Sequence, residues 1–205
     1  MKTVTDLKPQ KNSKRVNVYL DGEFYMGMEL YTVMKYRIKV GNTYSESELD
    51  AFVLDEEKNS AFNYVLNSLS KSLKTEKQVR IKLYERGYTY PIVKEVIEKL
   101  KSYGYLNDEQ FVTKFVNTYS KTKGKRLIKT QLKLKGVSDS DIENVDNIIE
   151  NELNSAVYVA EKYLKNKPND IKTKQKCYRY LLSKGFSYED SKRAVDKVLV
   201  SDEEI

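Results

Sequence analysis

Histidine is absent from this 205-residue chain and cysteine occurs once. Without an imidazole there is no Ser-His or Cys-His dyad and no histidine to bind a metal. One thiol cannot close an internal disulfide. The helical spacing of Cys177 puts it on a core face, so it reads as packing rather than as a nucleophile. A reduced, cytoplasmic setting is expected. Only three prolines interrupt the chain. No apolar run approaches the ~20 residues of a membrane span, and the N-terminus lacks the apolar core of a secretion signal. Neither Gly-x4-Gly-Lys-Ser/Thr nor Gly-x-Gly-x2-Gly occurs. No enzyme activity, cofactor or membrane partner is therefore expected.

Charge is abundant instead. A third of the residues are charged, two fifths are apolar, and the net charge is +7. The excess is uneven. Residues 1–57 hold eight Lys and Arg against ten Asp and Glu, whereas residues 58–106 hold ten against four. Residues 107–155 balance, and residues 156–205 hold eleven against eight. Such a balance suits nucleic acid or another acidic partner.

A repeat organises the chain. Leu83-x3-Gly87-Tyr88-Thr89 recurs as Leu132-x3-Gly136-Val137-Ser138 and as Leu181-x3-Gly185-Phe186-Ser187. The step is 49 residues both times, a period typical of helical arrays. Each copy reads as a helix ended by a left-handed glycine, with Ser or Thr capping the next helix. Asp141 and Asp190 stand three residues after Ser138 and Ser187, like the acid of a capping box. Val79, Ile128 and Cys177 lie four residues before the repeated leucines, on one helical face. Val93, Val96, Ile97 and Leu100 form an inward stripe, repeated by Ile142, Val145 and Ile149.

Before the repeats, Val16 to Leu20, Asp21-Gly22 and Glu23 to Met26 spell a hairpin, since a type I′ turn needs positive φ at both central residues. Residues 1–13 read as frayed, Tyr36 to Val40 as a third strand, and Glu29 to Lys35 as a short helix. Ser45 opens a helix over Leu49 and Phe52, and Lys58 to Ser72 reads as a separate helix. Tyr105 and Phe111 read as core, and Ser201 to Ile205 as an acidic end. The expected fold is mainly α: three tandem three-helix, helix-turn-helix-like repeats in an elongated array behind a small β-hairpin segment. The expected boundaries are 1–57, 58–106, 107–152 and 153–205.

Candidate contact residues lie opposite the buried face of each middle helix. They are Lys77, Arg80 and Tyr84 in the first repeat, and Arg126, Lys129 and Lys133 in the second. Lys121, Lys123 and Lys125 extend the second stripe. A row of cations suits phosphates or an acidic groove, and Tyr84 offers a stacking face. The third stripe, Gln175, Tyr178 and Leu182, is more apolar and reads as packing. Asp139, Asp141 and Glu143 cluster at a helix start, where the dipole favours acids, and read as structural.

Gly104-Tyr105-Leu106-Asn107-Asp108-Glu109-x-Phe111, Gly124-Lys125-Arg126-x-Ile128-x3-Leu132-x3-Gly136-Val137 and Tyr180-Leu181-x3-Gly185-Phe186 follow one another. With the three-unit layout they resemble the bacterial RecX family, over about residues 58–199, and the hairpin segment resembles the N-terminal extension of longer members. The resemblance implies a regulator that binds RecA filaments on single-stranded DNA, lies in the filament groove and restrains recombinase and coprotease activity in DNA repair. A monomer is expected. The competing reading is a DNA-binding module that acts directly on the phosphate backbone.

Replacing Gly136 with valine is expected to lower the thermal midpoint without altering partner binding, because a β-branched residue opposes the left-handed position. An unchanged melting curve means that Gly136 does not occupy that conformation.

Overall fold

The computed structural model describes residues 1–12 and 14–200, with the side chain of Val200 excepted. The expected acidic end, Ser201 to Ile205, lies outside them. The described residues form four strands and ten helices. By internal packing the chain divides into two units, Met1–Ser72 with Val79–Tyr105, and Leu73–Gln78 with Leu106 onward.

The first unit opens with a sheet. Its strands are β1 (Lys2–Pro9), β2 (Arg15–Leu20), β3 (Glu23–Glu29) and the short β4 (Thr43–Tyr44), in the order β3-β2-β1-β4. The β2–β3 turn has Asp21 at φ 51° and Gly22 at φ 89°, as the Asp-Gly pair requires. The stretch expected to fray is instead a central strand. β1 runs antiparallel to β2 from Val4 opposite Leu20 to Pro9 opposite Val16, and to β4 on its other side. Only Val4 on it is fully buried, so its apolar signal is faint and the ladder bonds define it. Thr3 N–H donates to the Asp21 carboxylate at 2.9 Å, which holds that carboxyl below its ordinary range. Tyr36 to Val40 is not the third strand. Arg37 takes φ 51° after helix α1 (Leu30–Lys35) and breaks any extended run.

Helix α2 (Glu46–Leu69) is continuous where two helices were expected. Ser45 starts it with a reciprocal capping box to Glu48. The charged run Asp55-Glu56-Glu57-Lys58 does not break it, because Glu56 points inward. That carboxylate accepts from the Glu29 N–H at 2.8 Å and the Thr32 hydroxyl at 3.0 Å, and its other oxygen lies 3.2 Å from the Arg15 guanidinium. A buried acid is tolerable only with such partners, and these tie the strands to α2. Helices α3 (Glu76–Glu85) and α4 (Tyr90–Ser102) follow. The α4 stripe of Val93, Val96, Ile97 and Leu100 is buried as its spacing requires.

The second unit holds α5 (Asp108–Tyr119), α6 (Lys125–Leu134) and α7 (Asp139–Ile148), then α8 (Leu153–Leu164), α9 (Ile171–Ser183) and α10 (Tyr188–Val200). Each triplet has its own core. Phe111, Val116, Ile128, Leu132 and Val145 belong to one, and Ala160, Cys177, Leu181, Phe186 and Ala194 to the other. Burial pushes the Cys177 thiol up to about 11.

The repeated turn is a Schellman ending. The apolar residue's N–H returns to the leucine carbonyl in all three copies: Tyr88 to Leu83, Val137 to Leu132 and Phe186 to Leu181. Leu100-x3-Gly104-Tyr105 closes the same way. Ser138 and Ser187 cap the following helices as expected, but Thr89 makes no side-chain cap. Asp141 and Asp190 accept from the serine hydroxyls. Their shorter side chains do not make the usual return bond to backbone.

Two helix starts in this unit are capped from a distance. Glu152, buried at the head of α8, accepts from Lys125 N–H at 2.7 Å and from Ser187 N–H at 2.9 Å. Asp108, at the head of α5, accepts from Glu76 N–H at 2.9 Å, the first residue of α3. The same two starts also meet the ends of later middle helices. Gly124 N–H donates to the Lys184 carbonyl at 2.9 Å, and the Thr75 hydroxyl to the Lys135 carbonyl at 2.7 Å. Middle helices thus meet head to tail, which aligns their dipoles favourably.

Glu152→Ala is expected to cost about 3 kcal/mol in urea unfolding, because it orphans two N–H groups at once. Glu189→Ala, which removes only an exposed ion pair to Arg193, is expected to change stability by less than about 0.5 kcal/mol. Equal effects would mean that Glu152 is not a structural cap.

Candidate partner-binding surface

On α3, Val79 and Leu83 face inward, which turns Lys77 and Tyr84 to solvent and leaves Arg80 half-buried. The Tyr84 ring is 44% exposed. Lys77 has a structural task as well. Its aliphatic stem lies against Gly136, where an added Cβ would fall 2.6 Å from Lys77 Cβ. Gly136 has φ +82°, so it is required both for backbone conformation and for close approach. Gly185 repeats this against Leu127, whereas Gly87 has open space around it. Gly124 has no positive φ, yet an added Cβ would lie 2.3 Å from the backbone of Gly185 and Phe186.

The α6 stripe is present but largely paired. Arg126 donates to the Leu182 carbonyl at 2.7 Å. Lys129 lies 2.5 Å from the Asp146 carboxylate of α7, and Lys125 lies 3.9 Å from its other oxygen. Lys133 reaches Asp139 at 3.1 Å, both side chains more than two-thirds exposed. Such a surface pair is weak and opens readily, so an anionic partner competes with Asp139 and Asp146 for these cations. Lys123 leaves the stripe. Its ammonium lies 3.9 Å from the centre of the Tyr119 ring and donates to Gln131 at 2.9 Å. Burial, then repulsion from Lys184 and Lys135, lowers its pKa.

On α9 the packing expectation for Tyr178 holds. Its ring packs against the α8–α10 core and stands edge-on to Tyr188 at 5.3 Å. Leu182 is half-buried. Phe111 is core, but Tyr105 is 53% exposed and sits edge-on to Tyr103, so its core assignment is corrected. Asp139 and Asp141 are occupied by Lys133 and Ser138. Among the described residues no group of three His, Cys, Asp or Glu side chains is placed to hold a metal, and no helix is long and apolar enough to cross a membrane.

Sequence reasoning missed one surface. Tyr158, Tyr163 and Tyr180 lie beside lysines in a groove along α8 and α9. The available signal was Tyr-x3-Lys, which puts lysine one turn after tyrosine, within α8 for Tyr158 and just past a helix end for Tyr163 and Tyr180.

Four family models match in order along the chain: the Regulatory protein RecX N-terminal domain over residues 2–44, and the first, second and third RecX three-helix domains over 61–100, 107–145 and 150–195. Among curated relatives, the Regulatory protein RecX of Clostridium botulinum (strain Eklund 17B / Type B) is 34% identical over 206 residues, covering 97% of each chain. That of Bacillus subtilis (strain 168) is 29% identical over 211 residues, covering all of this chain and 80% of its own. Among solved structures, a crystal structure of regulatory protein RecX superposes with TM-score 0.73 at 25% identity, over 96% of this chain and 100% of the other. RecX from Lactobacillus salivarius superposes with TM-score 0.64 at 28% identity, over 70% of this chain and 97% of the other.

Removing the Asp146 charge frees Lys125 and Lys129. Asp146→Asn is expected to raise the salt concentration needed to elute the protein from heparin, with affinity gains up to about fivefold, the scale of an exposed ion pair. An unchanged elution point would show that Asp146 does not restrain these lysines.

Proposed function

Because the chain belongs to the RecX family, we propose that it binds RecA filaments on single-stranded DNA and restrains their recombinase and coprotease activities. The observation that supports this most is the unbroken series of four RecX modules along the chain. The contact residues in this reading are Arg126, Lys129 and Lys133 of α6, with Lys125 beside them, and Lys77, Arg80 and Tyr84 of α3. Ion pairs that open at low cost suit a regulator that must find its partner quickly and release it, since charged rims act mainly on association rate. The repeat modules 58–106, 107–152 and 153–205 each present a middle helix to the partner in this scheme.

Binding to fluorescent single-stranded DNA, with and without RecA and a non-hydrolysed ATP analogue, tests it across a salt series. Binding that RecA strengthens and that then persists at moderate salt is the expected result. Equal binding to bare DNA that falls steeply with salt would overturn it. Charge reversal of Arg126, Lys129 and Lys133 together is expected to weaken inhibition of RecA about tenfold or more with helical content intact. Full inhibition by that folded variant would remove the α6 face from the mechanism.

A further inference from the structure

Tyr-x3-Lys occurs five times in the second unit, and four of these pairs, Tyr119–Lys123, Tyr158–Lys162, Tyr163–Lys167 and Tyr180–Lys184, share one geometry. Each lysine ammonium lies over its own tyrosine ring, at 3.9, 4.4, 3.3 and 5.1 Å from the ring centre respectively. Of the four, Tyr158 and Lys162 are neighbours one turn apart within α8, whereas Lys123, Lys167 and Lys184 follow the last residue of their helices and fold back over the final turn. Tyr163 and Tyr180 then stack on each other, 4.7 Å apart, and bring α8 and α9 together. The result is a groove of about 420 Å³ lined by all four of these lysines and by Lys165.

Among the described residues, no acidic side chain lines this groove. Among the described residues, none of Lys162, Lys165, Lys167 and Lys184 has a carboxylate within ion-pair distance, in contrast with Lys125, Lys129 and Lys133. Like charges held close without a counterion repel one another, and Lys184 already bears on Lys123 in this way. The rings hold the ammonium groups themselves, and the lysines still line the groove. Tyr158, 42% exposed, sits at the edge, where a planar ligand can lie against it.

We propose that this lysine–tyrosine groove is a direct binding site for single-stranded nucleic acid, with the lysines on successive phosphates and Tyr158 stacking on a base. Phosphates in a row supply the missing anions, and bases supply faces for an aromatic platform. An acidic peptide fits less well. Helix-in-groove docking uses apolar anchors, and among the described residues the only aliphatic side chain in the lining is Val159. The site acts on bare nucleic acid and does not depend on the filament reading.

The test uses the full chain without any recombinase and a fluorescent oligothymidylate, with anisotropy read at several salt concentrations. Lys162→Ala/Lys167→Ala is expected to weaken binding about tenfold at low salt and to flatten the log–log salt slope by about 1.4, two phosphate contacts' worth for a single strand. Tyr158→Ala is expected to weaken binding with the slope unchanged, as lost stacking does. Lys39→Ala/Lys94→Ala, two exposed lysines of the first unit, serves as the charge-matched control and is expected to bind as the parent does. Circular dichroism and melting confirm that each variant is folded. Parental affinity in the folded groove variant would overturn the proposal, as would an equal loss in the control. Competition by polyglutamate as effective as by unlabelled oligonucleotide of the same charge would assign the groove to an acidic protein segment and overturn it too. All these readings are made without RecA, so they stand or fall separately from filament regulation.

Discussion

A helix begins with N–H groups that no residue of its own turn can accept, and in the second unit two such beginnings lie inside the fold. Lys125 N–H and Glu76 N–H both end on carboxylates contributed from further along the chain, Glu152 and Asp108. Each acid heads the first helix of the following repeat and caps the middle helix of the preceding one. Once that placement is set, much else is constrained. The start of one middle helix must abut the end of the next, so the turn between them must be thin. Glycine at 136 and 185 answers this demand as well as the backbone one, and Gly124 answers it alone.

The local half of this design is legible in the sequence. Leu-x3-Gly-apolar announces a Schellman ending because every bond in it joins residues within one turn. Asp-Gly announces its hairpin for the same reason. The distant half is not legible. Glu152 looks like any acid near a helix start, and nothing within a few residues says that Lys125 and Ser187 converge on it. Glu56 misleads in the opposite direction. In a run of charges it suggests a break between helices, yet it is the buried partner of Arg15, Glu29 N–H and Thr32. β1 was missed because pairing on both edges, rather than apolar alternation, makes it a strand.

Charge counting deserves the same separation. The balanced sum over residues 107–155 is realised as actual pairs, with Asp146 and Asp139 of α7 set against Lys129 and Lys133 of α6. The cations of the α6 stripe thus have their neutralising neighbours one helix further on. The smaller excess over residues 156–205 includes lysines that lie over tyrosine rings rather than beside carboxylates. Where positive potential survives folding is decided by which side chains stand next to each lysine, and a sum along the chain does not record that.

The third middle helix differs from the second in one respect. Its start is closed by Asp170, immediately before it, which accepts from Thr173 N–H at 2.6 Å. The second middle helix, headed by Gly124, borrows its cap from what is translated after it, the first has a local Thr75–Gln78 capping box as well as the borrowed Asp108, and the third carries its own. Synthesis on the ribosome therefore leaves α6 provisional until Glu152 has emerged, while α3 and α9 can close as soon as their own residues are out. A chain stalled between Gly124 and Glu152 would hold an open helix end, a natural mark for the quality-control machinery that removes unfinished proteins.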